Sequence, residues 1–431
     1  MVNATGANGT DNGVFPPDEE LREILFDFER KSLSRELRLR YLEEKHHIKI
    51  GLTKLKALNL KFHVPSSRKF QAVEEATEAI ADIITRDVYQ GQGPDTVKQI
   101  ASLRLNLTIP GMHSTEICEC CADLKLRDFV RATMKGLVGQ RPSDMRRPGR
   151  GKGPKIRTAL NAIGIFQEIH VDGHEKLGEK ALRMGPGIGI DVYGMRDHVG
   201  KVLLLKAVPN SRLSDTVGHL FLDMVSDFQA TSVQVTFDGG SELGWLAAFQ
   251  TTLRSDEWRP VVAVKSTSNI SIESTWSYDR QFNGRSLRAI IEEGRIHLIP
   301  GDLSLFRWLW SKIVQTGLDE FVDYFNNKKT RKQRNRILPS GVAPNVVFDM
   351  PANYGLENLA IPVTQAALDE LRGLIDTPRE DAFRWVSDEF DEVATAVYIR
   401  IGSPKLEALS GWAIFNGMAP LLRGVVVPGH L

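Results

Sequence analysis

The sequence has few cysteines, no long apolar run and no large excess of charge of either sign. Three cysteines in 431 residues, Cys118, Cys120 and Cys121, are too few for the disulfide framework of a small secreted domain. No apolar stretch approaches the roughly 18 residues that a membrane helix needs. The polar residues 1–16 lack the basic and apolar segments of a signal peptide and are predicted to be a disordered lead. We therefore expect a soluble, intracellular protein without membrane contact.

The near-neutral total hides strong local contrasts in charge. Lys and Arg number 55 and Asp and Glu 54, for a formal net charge of +1. Basic residues dominate 31–61, 141–155 and 326–336, whereas residues 337–431 carry twelve acidic and six basic side chains. Basic stretches favour the phosphates of nucleic acid, and an acidic region does not. The sequence therefore predicts DNA contacts in the basic stretches, and an acidic C-terminal region that docks on the protein itself or on a second copy.

Residues 17–140 are predicted to form a helical N-terminal domain. The segment PDEELREILFDFERK begins with proline and acids and carries apolar residues at helical spacing. Two short helical segments then flank the turn IKIG, and the second is rich in lysine. This pattern is typical of a helix-turn-helix motif, although an ordinary all-helical domain with solvated lysines shows it too. Residues 141–158 have the Pro, Gly and Arg content of a basic linker.

Residues 159–336 have the pattern of an α/β domain. The strand-like segments are FQEIHVDG, GIGIDVYGMRD, KVLLLKAVP, TSVQVTFDG and PVVAVKS. The first three are closely spaced, and helical segments separate the later ones. Three hairpin-connected strands followed by βαβ crossovers predict a five-stranded mixed sheet with flanking helices, which is the order of the ribonuclease H-like fold. Residues 337–431 are predicted to add a small acidic α+β region.

Three acidic residues occupy positions that predict a shared site. Asp172 ends the first strand, Asp238 ends the fourth, and Glu273 opens the helix after the fifth. The first and fourth strands are neighbours in the predicted sheet, so the three carboxyl groups are expected to converge. Each acid alone has an ordinary explanation, an Asp-Gly turn or a Glu stabilised by a helix dipole. Together they predict a site for two Mg²⁺ or Mn²⁺ ions, which prefer oxygen ligands and catalyse phosphoryl transfer.

The segments around these acids resemble the three blocks of the DDE triad of retroviral-type integrases and related transposases. HVDGHEKL, FDGGSELG and NISIESTW carry the resemblance, which extends most to integrase-core proteins found in fungal genomes as transposon relatives. It implies an integrase catalytic core in which Asp172, Asp238 and Glu273 are catalytic and bind the metal. The motif positions Lys176 and Asn269 are expected to contact DNA. The same expectation holds for the basic residues of the third stretch, which are Lys328, Lys329, Arg331, Lys332, Arg334 and Arg336.

Three functions from different classes are open on the sequence alone. The first is a DDE-type polynucleotidyl transferase, an integrase or transposase that cleaves and joins DNA with two metal ions. The second is a transposon-derived DNA-binding protein that does not catalyse a reaction, and the third is a ribonuclease H-like nuclease. The first implies a nuclear protein that acts on double-stranded element ends and target DNA, as a homo-oligomer on that DNA.

Overall fold

A computed structural model describes most of the chain and divides it into two compact units, Met1–Arg150 and Gly151–Leu431. The expected linker 141–158, the three cysteines, Arg334 and Arg336 lie outside the described residues, as does most of the expected disordered lead. The residues that the structure describes are 13–65, 73–105, 126–138, 161–254, 259–265, 268–296, 303–333 and 337–423.

The described part of the first unit is helical. Its helices are α1 Asp18–Arg30, α2 Arg35–His46, α3 Leu52–Lys61, α4 Val73–Arg86, α5 Pro94–Leu105 and α6 Leu126–Val138.

Local sequence explains where the first helices begin and which faces they bury. α1 follows Pro17, has acids in its first turn, and buries Leu21, Leu25 and Phe28 on one face. Ser34 caps α2, because its Oγ accepts the Leu37 N–H at 3.3 Å. The helical character that the sequence predicts for this region therefore follows from ordinary capping and amphipathic spacing.

Nine strands and eleven further helices make up the second unit as far as it is described. The strands are β1 Gly164–Ile165, β2 Glu168–His174, β3 Asp191–Asp197, β4 Val202–Val208, β5 Ala230–Thr231, β6 Gln234–Asp238, β7 Val261–Val264, β8 Glu357–Asn358 and β9 Ile361–Pro362. The helices are α7 Glu179–Leu182, α8 Ser214–Phe228, α9 Gly244–Leu253, α10 Ile270–Asp279, α11 Arg285–Glu293, α12 Leu303–Asn327, α13 Pro344–Asp349, α14 Gln365–Arg372, α15 Arg379–Ala382, α16 Asp388–Arg400 and α17 Gly411–Arg423.

The five longer strands form one mixed sheet in the order β4-β3-β2-β6-β7. β2 pairs antiparallel with β3, and β3 pairs antiparallel with β4. β6 pairs parallel with both β2 and β7. The mixed α/β architecture with a five-stranded sheet that the sequence predicts is confirmed.

The two faces of the sheet meet different surroundings. Ile169 and Val171 of β2 are fully buried in one apolar cluster with Leu220 and Phe221 of α8. Because side chains alternate along a strand, the residues between and beyond them, including Asp172, point to the opposite face. Helix α10 contacts that opposite face through the hydrogen bond from Trp276 to Asp172. Asp172 therefore lies on the face of the sheet that α10 covers.

Side chains of α12 pair with the backbone of the edge strand β4. Asn326 accepts the Val202 N–H at 2.9 Å and donates to the Val202 carbonyl at 2.8 Å. Gln315 accepts the Ala207 N–H at 2.9 Å and donates to the Leu205 carbonyl at 3.2 Å. Since an open edge presents unpaired backbone groups, α12 protects this edge from pairing with another chain.

The described part of the acidic C-terminal region, residues 337–423, packs on its own chain. Trp412 of α17 lies 5.0 Å from the ring of Trp310 in α12, and its indole donates to the Ile290 carbonyl at 2.7 Å. Arg372 of α14 forms an ion pair with Asp223 of α8 at 2.9 Å. Strands β8 and β9 also pair with β1 and β5. This region belongs to the same compact unit as the sheet.

None of the helices in the described part of the chain is long and apolar enough to cross a membrane.

Candidate active site

Two neighbouring parallel strands bring Asp172 and Asp238 to the same level of the sheet. His170 of β2 lies opposite Thr236 of β6 in the parallel register. Asp172 follows His170 by two residues, and Asp238 follows Thr236 by two residues. Because side chains alternate along a strand, both carboxyl groups point to the face on which His170 and Thr236 lie. Asp238 is the last residue of β6, where the strand opens into the Gly239-Gly240 turn.

Glu273 reaches the same region from helix α10, which lies along β2. The helix contacts the strand through Asn269, which precedes it, and through Trp276 in its second turn. Glu273 is four residues after Asn269 and three before Trp276, so all three lie on neighbouring positions of one helix face. Its side chain is exposed, whereas Asn269 and Trp276 are buried. A solvent-facing carboxylate is therefore held between two buried contacts.

The electrostatics of Asp172 show that the three acids lie within reach of one another. The pKa of Asp172 is raised to about 7: burial is the largest cause, a hydrogen bond from Trp276 acts against it, and the negative charges of Asp238 and Glu273 add to the rise. The indole Nε1–H donates to Asp172 Oδ2 at 2.7 Å. Like charges within a few ångströms disfavour one another's ionised form. Asp238 and Glu273 therefore lie near enough to Asp172 to act on its charge, although the three acids are not among the described groups whose ligand atoms all lie within 4.8 Å of one another.

A fourth carboxylate, Glu242, lies close enough to act on the same region. The pKa of the Tyr193 hydroxyl is raised well above its usual value, first by burial and then by the charges of Asp172, Glu242 and Asp238. Glu242 belongs to the short 3₁₀ turn Ser241–Leu243 after β6. Glu242 is part of the segment FDGGSELG that carries the resemblance to integrases, but the sequence analysis assigned it no role in the site.

A second polar group lies next to the three acids, on the same face of the sheet. Glu168 and His170 of β2 and His198 of the β3–β4 turn place their ligand atoms within 4.8 Å of one another, so this group could hold a metal ion. The distances are 2.8 Å from His170 Nε2 to His198 Nδ1, 3.1 Å from His198 Nδ1 to Glu168 Oε2, and 3.5 Å from His170 Nε2 to Glu168 Oε1.

The charges of this second group are set by burial and hydrogen bonds. Burial is the main cause that lowers the pKa of His170, so the imidazole is neutral at neutral pH. Burial acts to raise the pKa of Glu168, but the hydrogen bonds from His198 and Thr236 and the nearby histidine charges outweigh it and lower this pKa to about 2. Sequence reasoning missed Glu168, His198 and Thr236. The alternation Glu168, His170, Asp172 along one face of a buried strand was the pattern that could have revealed Glu168.

Asn269 does not have the environment expected of a DNA contact. Its side chain is 1% exposed. Its Oδ1 pairs with His170 Nδ1 at 2.8 Å, and its Nδ2 donates to the Val171 carbonyl at 3.0 Å. Because both ends of the amide are bonded inside the protein, Asn269 cannot reach DNA in this conformation. We correct its expected role accordingly.

The other expected DNA-binding side chains lie on the surface where the structure describes them. Lys176 is exposed in the loop after β2. Lys328, at the end of α12, lies 5.1 Å from the Tyr324 ring and 5.7 Å from the Tyr278 ring of α10. The exposed residues that follow it are Lys329, Arg331 and Lys332.

No protein-family model matches this chain, and neither does any curated protein. The case for a function therefore depends on the residues and their geometry.

Proposed function

We propose that this protein is a DDE-type polynucleotidyl transferase that cleaves and joins phosphodiester bonds in double-stranded DNA with divalent metal ions. The observation that carries the proposal is the effect of the Asp238 and Glu273 charges on the buried carboxyl group of Asp172, which joins acids from three different elements. The charges of Asp238 and Glu273 oppose ionisation of Asp172, and a bound cation would relieve that effect. Such an arrangement is typical of a metal-dependent catalytic site.

The topology supports a ribonuclease H-like core for this enzyme. The five strands of the mixed sheet, numbered along the chain, have the spatial order 3-2-1-4-5, with an antiparallel trio and two parallel additions. The candidate acids lie on the central strand, on its parallel neighbour and on the helix that crosses them. This is the arrangement that the sequence resemblance to integrases implies.

The donor set fits hard divalent cations such as Mg²⁺ or Mn²⁺. Asp172, Asp238 and Glu273 supply only oxygen ligands, and two of them are partly buried while Glu273 is exposed. When bound, a pair of such ions would activate an attacking hydroxyl and stabilise the leaving oxygen of a phosphodiester.

The chain's own residues orient the site. The Trp276 indole fixes Asp172 Oδ2, and the adjacent ring of His174 stacks on Trp276 with centroids 4.6 Å apart. This packing restricts the rotamer of Asp172. The fixed carboxylate does not have to reorganise as charge develops on the phosphate.

Exposed basic side chains supply the DNA contacts of the proposal. Lys176 follows the strand that carries Asp172. Lys328 follows α12 and lies beside the ring of Tyr278, a residue of the helix that carries Glu273. Residues 329–333 extend this positive surface. Contacts of this kind bind phosphates and hold the duplex in register without reading its sequence. We propose that the protein acts in the nucleus as a homo-oligomer assembled on DNA.

The experiment that tests the proposal is strand transfer with a labelled double-stranded DNA end and Mn²⁺. The native chain is compared with Asp238→Asn, and with Asp319→Asn on α12 as a control for removal of a remote carboxylate. We expect Asp238→Asn to reduce product by at least about a hundredfold and Asp319→Asn to leave it unchanged.

Two parallel substrates separate the alternatives. An RNA–DNA hybrid that is cleaved when duplex DNA is not would replace the transferase with a ribonuclease H-like nuclease. If the protein binds duplex DNA but does not cleave it with Mg²⁺ or with Mn²⁺, the result supports a DNA-binding protein that does not catalyse the reaction.

A further inference from the structure

The three carboxyl-bearing elements share a second, buried layer of polar side chains. Thr236 precedes Asp238 by two residues on β6, and His170 precedes Asp172 by two residues on β2. Asn269 precedes Glu273 by four residues at the start of α10. Two residues is one repeat of a strand and four residues is about one turn of a helix, so each of these side chains lies one step before its acid on the same face.

Hydrogen bonds connect this layer from one element to the next. Thr236 Oγ1 donates to Glu168 Oε1 at 2.5 Å. Glu168 Oε2 contacts His198 Nδ1 at 3.1 Å, which lies 2.8 Å from His170 Nε2. His170 Nδ1 is 2.8 Å from Asn269 Oδ1. The chain of contacts runs from β6 through β2 and the β3–β4 turn to α10.

The direction of each hydrogen bond follows from the last link. Asn269 Nδ2 donates to the Val171 carbonyl at 3.0 Å, so Asn269 Oδ1 must be the acceptor. His170 therefore carries its proton on Nδ1, and the single Nδ1–H of His198 faces two acceptors, His170 Nε2 at 2.8 Å and Glu168 Oε2 at 3.1 Å. The orientation of the Asn269 amide and the tautomers of His170 and His198 are thereby assigned.

The short distances between these side chains favour a hydrogen-bonded network at Glu168, His170 and His198 over a bound metal ion. Two imidazole nitrogens bound to one tetrahedral Zn²⁺ would be separated by roughly 3.3 Å, whereas His170 Nε2 and His198 Nδ1 are 2.8 Å apart. That shorter distance is typical of an N–H···N hydrogen bond.

We infer that this polar layer, defined as Thr236, Glu168, His198, His170 and Asn269, holds β6, β2 and α10 in register and so fixes the relative positions of the three acids. Thr236, His170 and Asn269 are then positioning residues. Their role in positioning the acids for metal binding rests on the proposed function. The hydrogen-bonded connection between β6, β2 and α10 does not depend on it. Thr236, His170 and Asn269 are 3%, 5% and 1% exposed, so a broken link leaves a buried polar group without its partner.

Hydrogen exchange tests the link without metal or DNA. Asn269→Leu removes both amide hydrogen bonds, and we expect exchange of the α10 amides to accelerate by at least about tenfold relative to the sheet. The matched control is Gln250→Leu, because Gln250 is also a buried amide, bonded to Thr231 and to the Ser232 carbonyl away from this layer. Unchanged α10 exchange, or equal acceleration in the control, would overturn the inference.

Mn²⁺ affinity tests the consequence for the acids. Thr236→Val removes the hydroxyl while keeping the side-chain shape, and we expect a loss of about tenfold in affinity. Thr236→Ser retains the hydroxyl and should restore native affinity, which a role in strand packing alone would not produce. Equal affinity in both variants would contradict a positioning role for Thr236.

Two further results have separate meanings. If the native chain binds no Mn²⁺, the proposed function fails, and hydrogen exchange alone decides the inference. If the metal-free native chain binds one Zn²⁺ that His198→Gln abolishes, the group is a metal site and the hydrogen-bonded layer is the wrong description.

Discussion

The indole of Trp276 donates a hydrogen bond to Asp172 at 2.7 Å, and Gly194 on the adjacent strand makes room for that indole. A Cβ atom at Gly194 would lie 2.6 Å from Trp276 Cη2 and 2.8 Å from Leu205 Cδ2, closer than real contacts allow. The glycine therefore determines where the ring sits, and the ring determines the orientation of the candidate catalytic carboxylate.

Replacement of Gly194 should disturb the site through Trp276. We expect Gly194→Ala to lower the free energy of unfolding by about 1–3 kcal/mol and to weaken Mn²⁺ binding, because the indole must move away from Asp172. Gly373→Ala serves as the control, since its Cβ would meet only ordinary contacts. Urea unfolding and Mn²⁺ titration measure the two effects. Native Mn²⁺ affinity in Gly194→Ala would show that the indole does not orient the carboxylate.

The raised pKa of Asp172 predicts how stability depends on pH in the absence of divalent metal. Burial is the largest cause of this pKa of about 7, against a usual value of 3.8. Between these values the folded chain binds more protons than the unfolded chain, so the contribution of Asp172 to stability is complete below about pH 4 and is lost as the pH rises through 7.

The variant Asp172→Asn removes that dependence. We expect its advantage in unfolding free energy over the native chain to grow from pH 4 to pH 7, reaching at most about 4 kcal/mol. Urea unfolding at a series of pH values, in chelator, measures the difference. A difference that stays constant over this range would mean that Asp172 does not titrate as described.

The basic surface after α12 should determine part of the salt dependence of DNA binding. Neutralising the exposed Lys329, Arg331 and Lys332 to Gln should flatten the plot of log affinity against log salt by about two to three units. A control with three exposed basic residues of the acidic region replaced by Gln, namely Arg384, Arg400 and Lys405, should keep the native slope. If the native chain and the first variant show the same slope of log affinity against log salt, this surface does not contact DNA.

The C-terminal region should be required for stability. Trp412 and Phe415 are buried, and Trp412 packs against Phe306 and Trp310 of α12. We expect Trp412→Ala to cost about 3–5 kcal/mol, and a chain that ends at residue 365 to aggregate or lose near-UV circular dichroism. A truncated chain that remains folded with native DNA affinity would show instead that the region is dispensable.

The sheet could be predicted from the sequence because it follows from local patterns, and the triad stays a prediction of the same kind. Short apolar segments ending in turn residues gave the five strands, and the position of Asp172, Asp238 and Glu273 at the ends of elements indicated their convergence. The role of Asn269 could not be predicted in this way, because it depends on a contact with His170, ninety-nine residues earlier in the chain. The contact of His198 with Glu168 and His170 could not be predicted either, because it forms only when the β3–β4 turn places His198 beside β2.

The number of Mn²⁺ ions bound per chain, measured by the electron paramagnetic resonance of free Mn²⁺, tests the central claim most directly. The account predicts two ions in the native chain, reduced in Asp172→Asn, Asp238→Asn and Glu273→Gln, and retained in Asp319→Asn. A native chain that binds no Mn²⁺, or binding that survives loss of all three acids, would contradict it.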